Sequence, residues 1–121
     1  MPQTFDPAIV ASARDRKEVR IRTARQKGQG VIIWIVAVDD ALYVRSVRGP
    51  AGKWFVAASA EGQATLDLGD RQHPVRVVPV TDQATIAAVS QAFLSKYATS
   101  PYAPSIVRAD TLPTTLRLDP M

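Results

Sequence analysis

The run of eight residues from Val31 to Val38, VIIWIVAV, restricts the possible folds of this chain more than any other segment. It is nearly all apolar, yet it is far shorter than the roughly 20 residues that cross a bilayer as a helix. Such a run predicts a β-strand buried on both faces, either central in a sheet or covered by a partner subunit. Asp39-Asp40 then supplies a tight turn, and Ala41 to Val47 returns as the next strand, which predicts a hairpin.

Four further segments have patterns typical of strands. Alternation of apolar and polar residues with a period of two indicates strands that are half buried. Pro74 and Pro79 flank one of these segments and favour an edge position for it, because proline cannot donate a ladder hydrogen bond. The four segments are residues 18–25, 63–68, 73–81 and 114–118, and the second and third of them predict another hairpin.

Helices are expected at the front of the chain and late in it. Asp6-Pro7 predicts a helix to about Arg14, with Asp6 as N-cap and proline at the first helical position. A long helix is predicted to start at Thr81-Asp82, since apolar residues then recur at helical spacing up to Tyr97. Residues 54–60 favour a short helix or an irregular crossover. The sequence therefore predicts a mainly β chain with flanking helices, folded as one six-stranded antiparallel barrel domain over residues 1–121.

Composition excludes several classes of function. The chain has no cysteine and a single histidine, His73, so thiolate catalysis, cysteine-based metal sites and histidine-rich metal sites are not expected. If the protein is an enzyme, its chemistry is expected to come from a bound organic cofactor. We predict a cytoplasmic protein without a membrane segment, because no secretory signal and no long apolar run is present.

Charge points to a small anionic partner. The net charge is +4 and the pI is near 9.9. From Arg45 to Lys53, nine residues hold two guanidiniums, an ammonium, a hydroxyl and a Gly-Pro turn, a combination that suits a phosphate or a carboxylate. A basic hairpin loop in solvent is the alternative. Nucleic acid is not expected, because no strand face interleaves exposed aromatic and basic residues. Trp34 is expected in the core or a dimer interface, and Trp54 in the core or against a ligand ring.

Two segments resemble parts of the deazaflavin-dependent nitroreductase group. Residues 21–30, IRTARQKGQG, are similar to its strand and basic turn, and residues 43–49 with Lys53-Trp54 resemble its third strand and phosphate loop. The whole chain also resembles a small uncharacterised bacterial family of the FMN-binding split-barrel class, related to pyridoxamine-phosphate-oxidase-like flavin reductases. The residues that carry this second resemblance are LYVRS at 42–46, RGP at 48–50, Lys96-Tyr97 and TTLRL at 114–118.

The resemblance implies a split barrel that dimerises and holds FMN or a deazaflavin at its mouth. It implies that one basic turn lines one side of the cofactor and that the second cradles its phosphate or flanks its ring. No catalytic residue and no metal ligand is implied. The residues carried over are Arg25, Lys27 and Gly28 in the first turn and Ser46, Arg48, Gly49, Lys53 and Trp54 in the second.

Departures from the group's pattern leave two functions open. Ala24, Gln26 and Gln29 replace residues that the group prefers, and Gly52-Lys53 stands where the group has His-Pro. The first hypothesis is a flavin- or deazaflavin-dependent oxidoreductase acting on a small organic substrate. The alternative is a non-catalytic split-barrel dimer, without cofactor, that binds a small anionic ligand or a protein partner.

Overall fold

A computed structural model describes residues 5–24, 28, 30–69 and 71–121, and it begins with helix α1, Pro7–Asp15. The Asp6 side chain accepts a hydrogen bond of 2.9 Å from the Ala8 N–H, and Pro7 occupies the first helical position. This is the predicted cap, and it satisfies one of the backbone donors left free at a helix N-terminus.

Seven strands form one antiparallel sheet. Their order is β2-β1-β5-β6-β7-β4-β3, and every neighbouring pair is antiparallel. The predicted architecture, mainly β with flanking helices in a nearly closed barrel, is confirmed, but the predicted number of six strands is wrong. The strands are β1 (Val19–Arg22), β2 (Val31–Ile33), β3 (Ile35–Val38), β4 (Ala41–Val44), β5 (Gln63–Asp67), β6 (Gln72–Pro79) and β7 (Leu116–Pro120).

The seventh strand arises because the apolar run 31–38 is interrupted at Trp34. Its first part pairs with β1 and its second part pairs with β4, at opposite ends of the strand order. The run therefore supplies both terminal strands of the sheet, and the expectation that it lies centrally is wrong. Its apolar character has a different cause: β2 sends Ile33 into the barrel, while β3 is covered on both faces, with Ile35 and Val36 buried in two different cores.

Strand β6 is paired on both sides, so the edge position predicted from its prolines is also wrong. It lies between β5 and β7. Pro74 pairs with Thr65 of β5 but lies outside the ladder with β7, which starts at Val75, and Pro79 is the last residue of the strand. Both prolines therefore sit where the loss of a donor interrupts little of the ladder.

Two hydrophobic cores follow from the alternation of side chains along the strands. Leu42 and Val44 of β4 point into the barrel, where α1 and helix α2 (Lys53–Glu61) also contribute. Tyr43 points to the other face with Val36, its partner in β3, and both pack under helix α3, Gln83–Lys96. The helix is capped by Asp82, as predicted, and its Phe93 is fully buried.

Short 3₁₀ helices lie in the segments that connect the described helices and strands. They span Gly49–Ala51, Ala103–Val107 and Leu112–Thr114. The second of them packs against α3 and carries Ala103 and Ile106 into the second core. No helix among the residues that the structure describes is long and apolar enough to cross a membrane.

Candidate functional site

A cavity of about 710 Å³ lies beside the bend between β2 and β3. Residues 31–34 and Glu18 form one wall, and residues 45–48, which follow β4, form another. The N-terminus of α2 contributes residues 52–54, and the 3₁₀ helix Ala103–Val107 with the preceding Tyr102 closes the remaining side. The walls are mostly apolar, and the volume falls within the roughly 300–1,000 Å³ of small-molecule sites.

Four of the predicted cofactor-binding residues meet in this cavity. Ser46, Arg48, Lys53 and Trp54 all line it. The side chains of Arg48 and Lys53 are exposed, whereas Ser46 is 1% and Trp54 7% exposed. The second basic turn therefore forms part of a cavity wall, with the cationic side chains of Arg48 and Lys53 at its solvent side. Binding of a cofactor by these residues stays a prediction.

The other predicted residues stand elsewhere or fall outside the description. Gly49 is buried behind the turn with a φ of 75°, and a side chain there would meet Asp110. Gly28 is not part of the cavity wall. Arg25 and Lys27 lie outside the described residues, so their place beside a cofactor stays a prediction.

The described residues on the two sides of the first basic turn lie in different places. The Ala24 N–H, before the turn, donates a 3.0 Å hydrogen bond to Oε1 of Glu61, the last residue of α2. Val31, after the turn, lines the cavity together with Lys53, the first residue of α2. Nine helical residues extend about 13 Å, which is the approximate length of α2.

The N-terminus of α2 is built tightly against Ser46. No side chain caps the helix, and the N-cap residue is Gly52. A Cβ at Gly52 would lie 2.3 Å from the Ser46 Oγ, so glycine is required for this close approach. The Ser46 hydroxyl is buried and makes no hydrogen bond within the described part of the chain. A buried hydroxyl beside free helical N–H groups is a fitting place for an anionic oxygen.

Arg45 has a different role from the other basic residues of the turn. It is 1% exposed, and its guanidinium donates to the carbonyl oxygens of Ile86 and Ile106, at 2.9 and 3.3 Å. Two further bonds of 2.9 Å reach the hydroxyls of Ser90 and Thr115. Burial lowers the pKa of Arg45 to about 10. The side chain thus ties β4 to α3, to the 3₁₀ helix Ala103–Val107 and to the segment before β7.

Trp34 lines the cavity, a position that the sequence did not indicate. Core or dimer interface was expected for it, yet it is only half buried and lines the cavity. Its ring is stacked on Tyr97 at a centroid distance of 4.0 Å and an angle of 4°. Tyr102, Ser105 and Ile106 also line the cavity, and no local pattern could have indicated this, because they come from a segment about fifty residues after the basic turn.

The described residues offer no obvious metal site. No group of three or more histidine, cysteine or acidic side chains within the described ranges is placed to hold a metal ion. His73 lies half buried on β6 and is not part of the cavity wall. The described polar groups of the cavity wall are the carboxylate of Glu18, three basic side chains and the hydroxyls.

The fold defines a class, that of nearly closed antiparallel β-barrels with flanking helices. Two solved structures share the fold. The heme storage protein HutZ from Vibrio cholerae superposes with a TM-score of 0.61 and 12% sequence identity, covering 98% of this chain and 92% of that one. A FAD-binding protein from Mesorhizobium loti has a TM-score of 0.59 and 14% identity, covering 100% and 94%. At such identities the likeness concerns the fold alone.

Within this class the chain belongs to DUF2255, a family of uncharacterized proteins conserved in bacteria. The family model matches residues 10–118, nearly the whole chain. This agrees with the predicted membership of a small bacterial family. No curated protein matches the sequence.

Proposed function

We propose that this protein binds a phosphate-bearing flavin or deazaflavin in the cavity and acts as an oxidoreductase on a small organic substrate. The observation that carries the proposal is the convergence of Ser46, Arg48 and Lys53 on the N-terminus of α2, at the edge of an apolar cavity of about 710 Å³. Cationic side chains and helical N–H groups stabilise a phosphate, and the apolar walls suit a ring system.

The residues present fit such a cofactor. The buried Ser46 hydroxyl has no hydrogen-bond partner among the described residues, and an oxygen of a bound phosphate would satisfy it. Arg48 and Lys53 would neutralise its charge, and Trp34 and Trp54 would border the ring. When bound, a flavin or deazaflavin supplies hydride transfer. The protein's own contribution would be to bind, orient and exclude water.

Binding without catalysis is the second candidate. Among the described residues of the cavity wall, Glu18 is the one carboxylate, and it is exposed. One structural neighbour is a heme storage protein, and a shared fold does not imply a shared chemistry, which supports binding as a candidate. This candidate predicts retention of a ligand without turnover of any substrate.

We further propose that the protein is a homodimer whose second copy covers the cavity mouth. Ile32 and Val47 line the cavity yet are 49% and 48% exposed, and Tyr102 is 70% exposed. Large apolar side chains grouped around a cavity mouth are typical of a surface that a partner covers. Light scattering coupled to gel filtration measures the mass directly, and a monomer at micromolar concentration would contradict the dimer.

Comparison of FMN with riboflavin tests the cofactor proposal. Native mass spectrometry of the freshly purified protein first identifies any retained cofactor. FMN, a deazaflavin and riboflavin, which lacks the phosphate, are then titrated while ring fluorescence is followed. We expect the phosphate-bearing ligands to bind at least about 10-fold more tightly than riboflavin, since each charge-assisted hydrogen bond contributes roughly 1.5–3 kcal/mol.

The double variant R48M/K53M should remove most of this phosphate preference and leave riboflavin affinity unchanged. Arg76→Met serves as the matched control, because Arg76 is exposed on β6 and does not line the cavity. Absence of binding by FMN and by the deazaflavin at tens of micromolar would refute the proposal. Binding of either cofactor without oxidation or reduction of any tested substrate would favour the second candidate.

A further inference from the structure

Trp34 presents a supported aromatic surface to the cavity. One face of its indole is covered by Tyr97, with ring centroids 4.0 Å apart and planes 4° from parallel. Tyr97 is 3% exposed, whereas Trp34 is half buried and lines the cavity. The part of the indole that remains accessible therefore belongs to the cavity wall, and the tyrosine supports it from behind.

Hydrogen bonds fix the position of this aromatic pair. The Tyr97 hydroxyl donates to the Lys17 carbonyl oxygen at 2.6 Å and accepts from the Ile35 N–H at 3.2 Å. Since Ile35 directly follows Trp34, the same tyrosine holds both the ring and the adjoining backbone of the tryptophan. A ring fixed before binding loses little conformational freedom when a ligand stacks on it, which favours affinity.

Two lysine ammonium groups lie over the ring of Tyr97. Nζ of Lys17 and Nζ of Lys96 lie 5.6 and 5.4 Å from the centroid of the Tyr97 ring. Lys96 donates to the carbonyl oxygens of Ala13 and Ile35, and Lys17 to that of Lys96. Neither lysine forms a salt bridge with a carboxylate among the described residues. Both ammonium groups therefore help to hold the Tyr97 ring in place by cation–π interaction.

Trp54, which was expected either in the core or against a ligand ring, is less suited to this role. It is 7% exposed and belongs to the core inside the barrel, where its contact with Phe55 is edge-to-face at 6.2 Å. Most of its surface is already used in packing. Among the two tryptophans of the chain, Trp34 has the larger area available to a ligand.

We propose that Trp34 is the stacking surface that selects ligands with a planar aromatic ring. The anionic group of the same ligand would lie toward Arg48 and Lys53, so the class of ligand is a planar aromatic anion. The inference rests on the proposed function only in that the cavity is a ligand site. It assigns the ring specificity to Trp34, which is not among the cofactor-binding residues that the family resemblance implied.

A planar probe and its saturated analogue test this assignment without any flavin. Calorimetry measures the affinity of 2-naphthoate and of decahydro-2-naphthoate, which has the same carboxylate and a non-planar ring system. We expect the wild-type protein to prefer 2-naphthoate by about 10-fold, a typical effect of stacking on an aromatic side chain. In Trp34→Leu the preference should fall to less than about 2-fold, and quenching of tryptophan fluorescence by 2-naphthoate should decrease.

Phe55→Leu is the matched control, because it removes an aromatic ring that does not line the cavity, and it should keep the full preference. If Trp34→Leu does not fold, as judged by circular dichroism, Trp34→Phe replaces it, and an intermediate preference is then expected. Retention of the full preference by the position-34 variant would overturn the inference. Loss of the preference in Trp54→Phe but not at position 34 would assign the ring contact to Trp54 instead and overturn it as well.

Failure of this inference is distinguishable from failure of the proposed function. If FMN binds with its phosphate preference while the position-34 variant still prefers the planar probe, only the role of Trp34 is refuted. If the wild-type protein binds neither flavins nor 2-naphthoate, the cavity is not a ligand site and both proposals fail.

Discussion

The contact between Ser46 and Gly52 predicts an unusual pattern of mutational effects. The backbone at Gly52 has φ −58° and ψ 131°, a conformation open to any residue. A Cβ at that position would nevertheless lie 2.3 Å from the Ser46 Oγ, and Ser46 is 1% exposed. Overpacking of this kind costs about 1–3 kcal/mol, offset by about 0.4–1 kcal/mol because alanine restricts the unfolded chain. Gly52→Ala should therefore lower the free energy of unfolding by about 1–2 kcal/mol.

Removal of the hydroxyl should reverse this loss. In the double variant S46A/G52A the nearest remaining neighbours of the new Cβ are the Gly49 carbonyl oxygen at 3.4 Å and the Cβ of residue 46 at 3.5 Å, which are ordinary contacts. Ser46→Ala alone removes a buried hydroxyl that has no partner among the described residues and should raise stability by about 1 kcal/mol. The double variant should thus be at least as stable as the wild-type protein.

Urea denaturation followed by tryptophan fluorescence measures these free energies, with linear extrapolation to water. Gly62→Ala is the control. Nothing lies within 4 Å of a Cβ at Gly62, but its φ is 71°, so its loss of stability comes from the backbone alone. Ser46→Ala should not rescue that loss. The reasoning is refuted if Gly52→Ala is as stable as the wild-type protein, or if the double variant is no more stable than Gly52→Ala.

Three further predictions concern stability. Burial lowers the pKa of Lys96 from 10.5 to about 8. Between these two pH values the unfolded chain binds more protons than the folded chain, so the free energy of unfolding rises with pH. Burial raises the pKa of Tyr97 to about 12, and this residue opposes the rise only above pH 10. Urea unfolding from pH 8 to pH 10 should show the rise in the wild-type protein and not in Lys96→Met. Arg45→Met should lower the free energy of unfolding by about 3 kcal/mol or more in the same assay, because four acceptors lose their donor. Arg48→Met, at an exposed residue, should change it by less than about 0.5 kcal/mol. Equal losses in the two variants would contradict a structural role for Arg45. Asp39 has a φ of 54°, so Asp39→Ala should lower stability by about 1 kcal/mol and Asp39→Gly should not, and equal effects of the two would contradict strain at this turn.

Local patterns predicted most of the secondary structure. The Asp6 and Asp82 caps, the two hairpins and the helical periodicity up to Tyr97 each depend on residues close together in the chain. The interruption at Trp34 could not be predicted, because β2 and β3 differ in their pairing partners, β1 before the run and β4 after it, and not in the apolar pattern of the run. An unbroken apolar run is compatible with one strand or with two.

The site was predictable only in part for a similar reason. The composition of the second basic turn indicated an anion site, and Ser46, Arg48 and Lys53 do share a cavity wall. Composition could not separate Arg45 from Arg48, since their difference is decided by α3 and the 3₁₀ helix Ala103–Val107, which fold over one guanidinium and leave the other in solvent. Contacts of Trp34 with Tyr97 are likewise set by tertiary structure.

The division of one apolar run between both ends of the strand order also bears on self-association. A sheet that does not close fully leaves two terminal strands whose outer backbone groups can pair with another molecule and seed aggregation. Here those strands, β2 and β3, have only three and four residues, and they are joined through Trp34 at a bend. Within the described part of the chain, therefore, no long straight edge is offered to a second sheet, although the run itself is among the most hydrophobic in the sequence.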